Sequence, residues 1–245
     1  MLEEYEKEDI ELLNDILTRN YYNIFKTSSE KILEFILNYT CSNNCSYCYL
    51  NSLDNIYPNN NCSNKNLLNN FQAFISWYID NNFITDIELI GNQWIYDSTI
   101  NLQIFNILYT TYKNSNYKPK NIIIRSDMKF INQNDIYDLI QEYIQKFNDI
   151  NIHIKFIGYL NGKFCDNNLY DDNEYQKIFH FIKNNNGKIQ TTITPSNINN
   201  WISNFKWWIS SFNTEDVLKL VYINEETSSE WNGINLINLF SFLDF

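Results

Sequence analysis

Three cysteines fall within eight residues, in the stretch Cys41-Ser42-Asn43-Asn44-Cys45-Ser46-Tyr47-Cys48-Tyr49. The spacing is Cys-x3-Cys-x2-Cys, and thiolates this close in sequence can converge on one metal centre. A structural zinc site is usually closed by four ligands in two separated pairs. The remaining cysteines, Cys62 and Cys165, are isolated and form no second pair. An iron–sulfur cube held by only three protein thiolates keeps one iron open to a substrate or cofactor. Zinc ligation and three unconnected loop thiols are the other uses these residues could have. Five cysteines, an odd number, suit metal or redox chemistry better than a disulfide framework.

The elements that must carry this triplet are legible as an alternation. Short apolar runs at 32–37, 86–90, 121–124, 150–157, 188–194 and 217–223 read as strands. Between them, stretches with helical periodicity occupy about 66–80, 99–112, 134–147, 173–183 and 197–211. Strict strand–helix alternation implies an α/β fold with a mostly parallel sheet and right-handed crossovers. Six such units are too few for a closed eight-stranded barrel. They suit a doubly wound sheet or an open (β/α)6 partial TIM barrel, and either puts its functional site at the carboxyl ends of the strands. The triplet follows the first strand at that end. An acidic amphipathic helix over 2–19, with Leu2, Tyr5, Leu12, Leu13, Ile16 and Leu17, precedes the alternation. The expected organisation is a helical extension over 1–29 and one domain over 30–245.

The strand at 32–37 followed by Tyr39-Thr40-Cys41-Ser42-Asn43-Asn44-Cys45-Ser46-Tyr47-Cys48-Tyr49 resembles the radical S-adenosylmethionine superfamily. The resemblance spans roughly residues 30–245 and makes the partial barrel the expected fold. It implies a four-iron–four-sulfur (4Fe-4S) cluster on Cys41, Cys45 and Cys48, with S-adenosylmethionine chelating the open iron. Tyr47 then packs near the adenine. The family's chemistry is reductive cleavage of the sulfonium to a 5′-deoxyadenosyl radical, which abstracts a hydrogen atom from an unactivated carbon. Cys48-Tyr49, the fifth unit Thr191-Thr192-Ile193-Thr194-Pro195-Ser196-Asn197, and Glu225-Glu226 with Trp231 look most like the members that modify peptides and proteins, such as the sulfatase-maturing enzymes. A peptide or protein substrate and an electron donor such as flavodoxin or ferredoxin are implied with them. The C-terminal auxiliary-cluster domain of many such enzymes has no counterpart, since Cys62 and Cys165 alone cannot ligate another cube.

The chain also departs from the family's pattern. The second strand there ends in Gly-Gly-Glu-Pro, which holds the S-adenosylmethionine ammonium; here it ends in Gly91-Asn92-Gln93-Trp94. Gly91 survives, and Asn92 or Gln93 offers a neutral carbonyl in place of the carboxylate. The third strand ends in Arg125-Ser126-Asp127-Met128 instead of Thr-Asn-Gly, and the fourth in Lys155-Phe156-Ile157-Gly158 instead of Ser-Ile-Asp-Gly. Ser126 and Asp127, with Arg125, are candidates for the cofactor's carboxylate or ribose. Lys155 alternates with β-branched residues and is a candidate for the inner face. The altered strand ends also admit a rival class, a cluster-binding accessory or peptide-binding subunit without catalysis.

Composition removes other classes. The balance of 18 Lys and Arg against 29 Asp and Glu gives a net charge of −11 and argues against a nucleic-acid partner. No apolar run reaches the roughly 20 residues of a membrane helix, and the acidic opening Met1-Leu2-Glu3-Glu4 is unlike a signal peptide, so a cytoplasmic protein is expected. Asparagine accounts for 43 of 245 residues, a surplus consistent with AT-rich coding, so single asparagines carry little weight. His153 and His180, Trp201, Trp207 and Trp208, and the acidic group Asp166, Asp171, Asp172 and Glu174 read as structural or solvated. Cys165 lies in the loop after the fourth strand, and an apolar tail from Ile234 is expected to dock on the domain or a partner.

Overall fold

The computed structural model describes residues 32–37, 64–81, 85–91, 93–160, 170–193, 198–212, 216–217 and 221–225. The expected N-terminal helix, the cysteine triplet, Cys62, Cys165 and the tail from Ile234 lie outside them. The chain is α/β, with parallel strands alternating with helices. Its described residues fall into two compact units, one within 30–159 and 174–188, the other within 160–173 and 189–245.

The first unit opens with β1 (Ile32–Ile36), α1 (Asn64–Asp80) and β2 (Asp86–Ile90). It continues through α2 (Gln93–Tyr96), α3 (Ser98–Lys113), β3 (Asn121–Ser126), α4 (Asn134–Asn148), β4 (His153–Tyr159) and most of α5 (Asp172–Asn184). β1 pairs with β2, β2 with β3 and β3 with β4, all parallel. The register sorts the strands into two faces. Leu33, Ile87, Ile122 and Ile154 form one cross-strand row, and Phe35, Leu89, Ile124 and Phe156 another on the same face. Ile87, Leu89, Ile122, Ile124 and Phe156 are fully buried there. Helices cover this face: Phe35 meets Phe71 and Phe74 of α1 edge-on at 5.1 and 5.0 Å, and Phe156 meets Phe181 of α5 at 4.9 Å. Burial of this apolar face is the main stabilising term, about 25 cal/mol per Å² removed from water.

α3 and α4 are joined by aromatic rings. Phe105 stacks on Tyr143 at 5.0 Å, and Tyr109 meets Phe147 edge-on at 5.7 Å. Asp97 caps α3 by accepting from the backbone N–H groups of Thr99 and Ile100 at 3.0 and 3.1 Å, satisfying two donors that the helix itself cannot. α4 and α5 end alike. Asn151 (φ 61°) and Asn186 (φ 51°) take the left-handed conformation. Ile152 N then donates to Phe147 O and Gly187 N to Ile182 O, at 3.0 and 2.9 Å. This is the Schellman closure, in which asparagine substitutes for the commoner glycine. It delays β4: a strand expected from Ile150 begins at His153, because residues 149–152 finish the helix.

The second unit contains β5 (Lys188–Ile193) beyond its first residue, α6 (Ile198–Ser211) and β6 (Val221–Glu225), with β5 and β6 parallel. β6 begins later than its apolar pattern suggests, since residues 216–217 are helical. Leu160 N donates to Gln190 O at 3.1 Å, and Trp208 of α6 is buried.

Candidate functional site

Because β1, β2 and β3 run parallel, their carboxyl ends share one edge of the sheet. β1 is held against β2 to its last residue, with Leu37 N donating to Ile90 O at 2.9 Å. Gly91 follows, buried, with φ 117°. Side chains rarely adopt that conformation, and a glycine here lets another group approach the backbone closely. The chain then turns directly into the short helix α2, which opens at Gln93. Asn92, Tyr47 and the three cysteines Cys41, Cys45 and Cys48 lie outside the described residues. Trp94 is 2% exposed and its indole N–H has no hydrogen-bond partner. Asn101 of α3 donates to Ile95 O at 2.9 Å and fixes the path between α2 and α3.

Ser126 closes β3, and Asp127 follows; both are buried. Their side chains are engaged locally. Ser126 Oγ accepts from Met128 N at 3.0 Å, and Asp127 Oδ1 accepts from Lys129 N at 3.3 Å. Lys129 Nζ lies 3.6 Å from Asp127 Oδ2. These bonds build a tight turn around Met128, whose φ is 67°. Tyr96 OH accepts from Lys129 N at 3.2 Å and so ties α2 to this turn. Gly91 and the Ser126–Asp127 pair are thus brought to one edge by neighbouring strands and linked through the segments that follow them.

The face of β1–β4 away from the helices is chemically different. Its central row is Glu34, Glu88, Ile123 and Lys155, and Arg125, Ile157 and Tyr159 follow towards the carboxyl edge. Glu88 is buried and ion-paired with Arg125 Nε. Arg125 Nη1 donates to Tyr159 OH at 3.0 Å, with the guanidinium 5.9 Å from the ring centroid. The carboxylate holds the guanidinium in place, and the phenol orients its outer edge. Burial pushes the pKa of Lys188 down, and repulsion from Lys155 pushes it further in the same direction. Arg125 and Lys155 were legible as candidates in the sequence, whereas Glu88, Glu34, Tyr159 and Lys188 were not. The available signal was a charge in the middle of an otherwise apolar strand, repeated at Glu34, Glu88 and Lys155.

Among the described residues, no group of three or more His, Cys, Asp or Glu could hold a metal ion, and no helix is long and apolar enough to cross a membrane. No family model, curated protein or solved structure matches the chain.

Proposed function

We propose that the protein is a radical S-adenosylmethionine enzyme acting on a peptide or protein. In this reading β1–β6 are the strands of one open (β/α)6 partial barrel, and its carboxyl edge carries the cofactors. The observation that carries the proposal is the Cys41-x3-Cys45-x2-Cys48 triplet immediately after the first strand of a parallel α/β sheet. Chain length supports it, because the four residues from Leu37 to Cys41 reach at most about 14 Å, which keeps Cys41 near the edge where β2 ends in Gly91.

The residues of this chain fit the cofactors in part. Cys41, Cys45 and Cys48 would ligate the 4Fe-4S cluster and leave one iron open for S-adenosylmethionine, with Tyr47 beside the adenine. Gly91, buried and without a side chain, gives a ligand access to the backbone at the end of β2. Asn92 and Gln93 would offer neutral acceptors to the ammonium. Ser126 and Asp127 contribute differently: their side chains hold the turn after β3, so their part is to shape the edge rather than to bind directly. Once bound, the two cofactors supply a 5′-deoxyadenosyl radical that takes a hydrogen atom from the substrate, with flavodoxin or ferredoxin as the class of electron donor. The protein's share of the work is ligation, alignment and exclusion of water.

Anaerobic reconstitution with iron and sulfide tests the cluster. The parent should take up about four irons per chain, with the broad absorbance near 400 nm of such cubes, and the Cys45→Ser variant should not. Stoichiometric zinc without iron uptake would reject the reading.

A further inference from the structure

The sheet face opposite the helices carries charge where a two-sided parallel sheet ordinarily carries apolar residues. The helix-covered rows are almost wholly Ile, Leu and Phe, whereas the opposite face carries Glu34, Glu88, Arg125, Lys155 and Tyr159. Charged groups on a partly covered surface cost desolvation free energy unless they are matched by partners. The charges are also sorted, with acids on β1 and β2 and bases on β3 and β4. Glu88 is matched by Arg125. Lys155, half-buried, has no carboxylate partner among the described residues, and the charged neighbour it acts on is another cation, Lys188. Two lysines that repel one another are an unusual pairing in a chain of net charge −11.

We infer that this face binds a carboxylate: Lys155 receives the anion on β4, Lys188 adds to the positive potential, and Arg125, fixed by Glu88 and Tyr159, borders the site towards the carboxyl edge. Taken together, Glu34, Glu88, Arg125, Lys155 and Lys188 carry one net positive charge. That matches a monoanionic carboxylate better than a phosphate dianion. The ligand class is therefore an acidic side chain, glutamate or aspartate. That it arrives on a peptide rests on the function proposed above; the carboxylate subsite does not require the cluster, and failure of the cluster would appear in iron uptake and leave this subsite intact.

The test is an NMR titration of the full chain, labelled on its lysine side chains, with end-blocked Gly-Glu-Gly, with end-blocked Gly-Gln-Gly and with inorganic phosphate. The Glu peptide should bind at least tenfold more tightly than the Gln peptide and shift the Lys155 resonance. Lys155→Met should abolish the preference, Lys155→Arg should keep it, and Lys188→Met should weaken Glu-peptide binding several-fold. Should Lys155→Met lose its fold, the Lys155→Arg and Lys188→Met variants still decide the matter. Equal binding of the two peptides, an unchanged preference in Lys155→Met or in Lys188→Met, or tighter binding of phosphate would overturn the assignment.

Discussion

Arg125 lies diagonally across the β2–β3 pairing from Glu88, two residues beyond the register partner Ile123, and its Nε is ion-paired with the Glu88 carboxylate. The two ends of this pair differ in environment: the Arg125 side chain is 22% exposed and that of Glu88 only 3%. Removing the partly exposed cation would strand the buried carboxylate.

Arg125→Ala should therefore cost about 2–4 kcal/mol of folding stability, since breaking a buried pair leaves an uncompensated charge. Replacing both residues, Glu88→Gln with Arg125→Met, should recover most of that loss. Urea unfolding of the parent, both single variants and the double variant measures the coupling. A single-variant cost under about 0.5 kcal/mol, or strict additivity, would mean that the pair is a solvated contact of the kind that contributes little.

Tyr112 gives a pH prediction. Its hydroxyl is buried without a hydrogen-bond partner, and burial raises its pKa, with Tyr78 adding to the rise. The folded state thus holds the phenol proton more tightly than the unfolded chain does, so this group's stabilising contribution is present below about pH 10 and is lost as pH rises beyond it. Tyr112→Phe should remove that alkaline loss. It should also stabilise the protein at neutral pH by about 1 kcal/mol, because an unpaired buried hydroxyl is replaced by an apolar edge. Thermal melts at pH 7 and pH 10.5 compare the two proteins. Steeper alkaline destabilisation in the variant would contradict this account.

Two glycines are expected to resist substitution for different reasons. Gly91 has φ 117°, where any side chain is strained, so Gly91→Ala should cost about 1–3 kcal/mol. At Gly158 an added Cβ would fall 2.8 Å from Ile182 Cδ1 and 2.9 Å from Met128 Cγ. Both neighbours are flexible side-chain ends, so Gly158→Ala should cost about 1–2 kcal/mol of overpacking. Denaturant midpoints settle both; a neutral Gly91→Ala would show that the turn after β2 relaxes freely.

Much of this architecture was legible in the sequence because it is written in periodicity. β2 coincides with Asp86-Ile87-Glu88-Leu89-Ile90, and α4 follows the apolar stripe Ile136, Ile140, Tyr143 and Phe147. The late start of β4 was hidden, because Ile150 and Ile152 read as strand while Asn151, one of many asparagines, closes the preceding helix in the left-handed conformation. The four-residue α2 and the 3₁₀ turn at Lys129–Asn132 are too short to give a periodic signal. The Glu88–Arg125 pair was hidden for another reason. Which charges meet depends on strand register, and register follows from burial across neighbouring strands rather than from the local pattern within one. Ser126 and Asp127 were legible as strand-end residues, but their use in the turn around Met128 depends on a backbone conformation that composition does not disclose.

The central claim concerns chemistry, and one product reports on it. Reconstituted protein, incubated anaerobically with S-adenosylmethionine and dithionite, should release 5′-deoxyadenosine and methionine in equal amounts, and the Cys41→Ser, Cys45→Ser and Cys48→Ser variants should release neither above background. Iron-loaded parent protein that forms no 5′-deoxyadenosine under these conditions would contradict the proposed function.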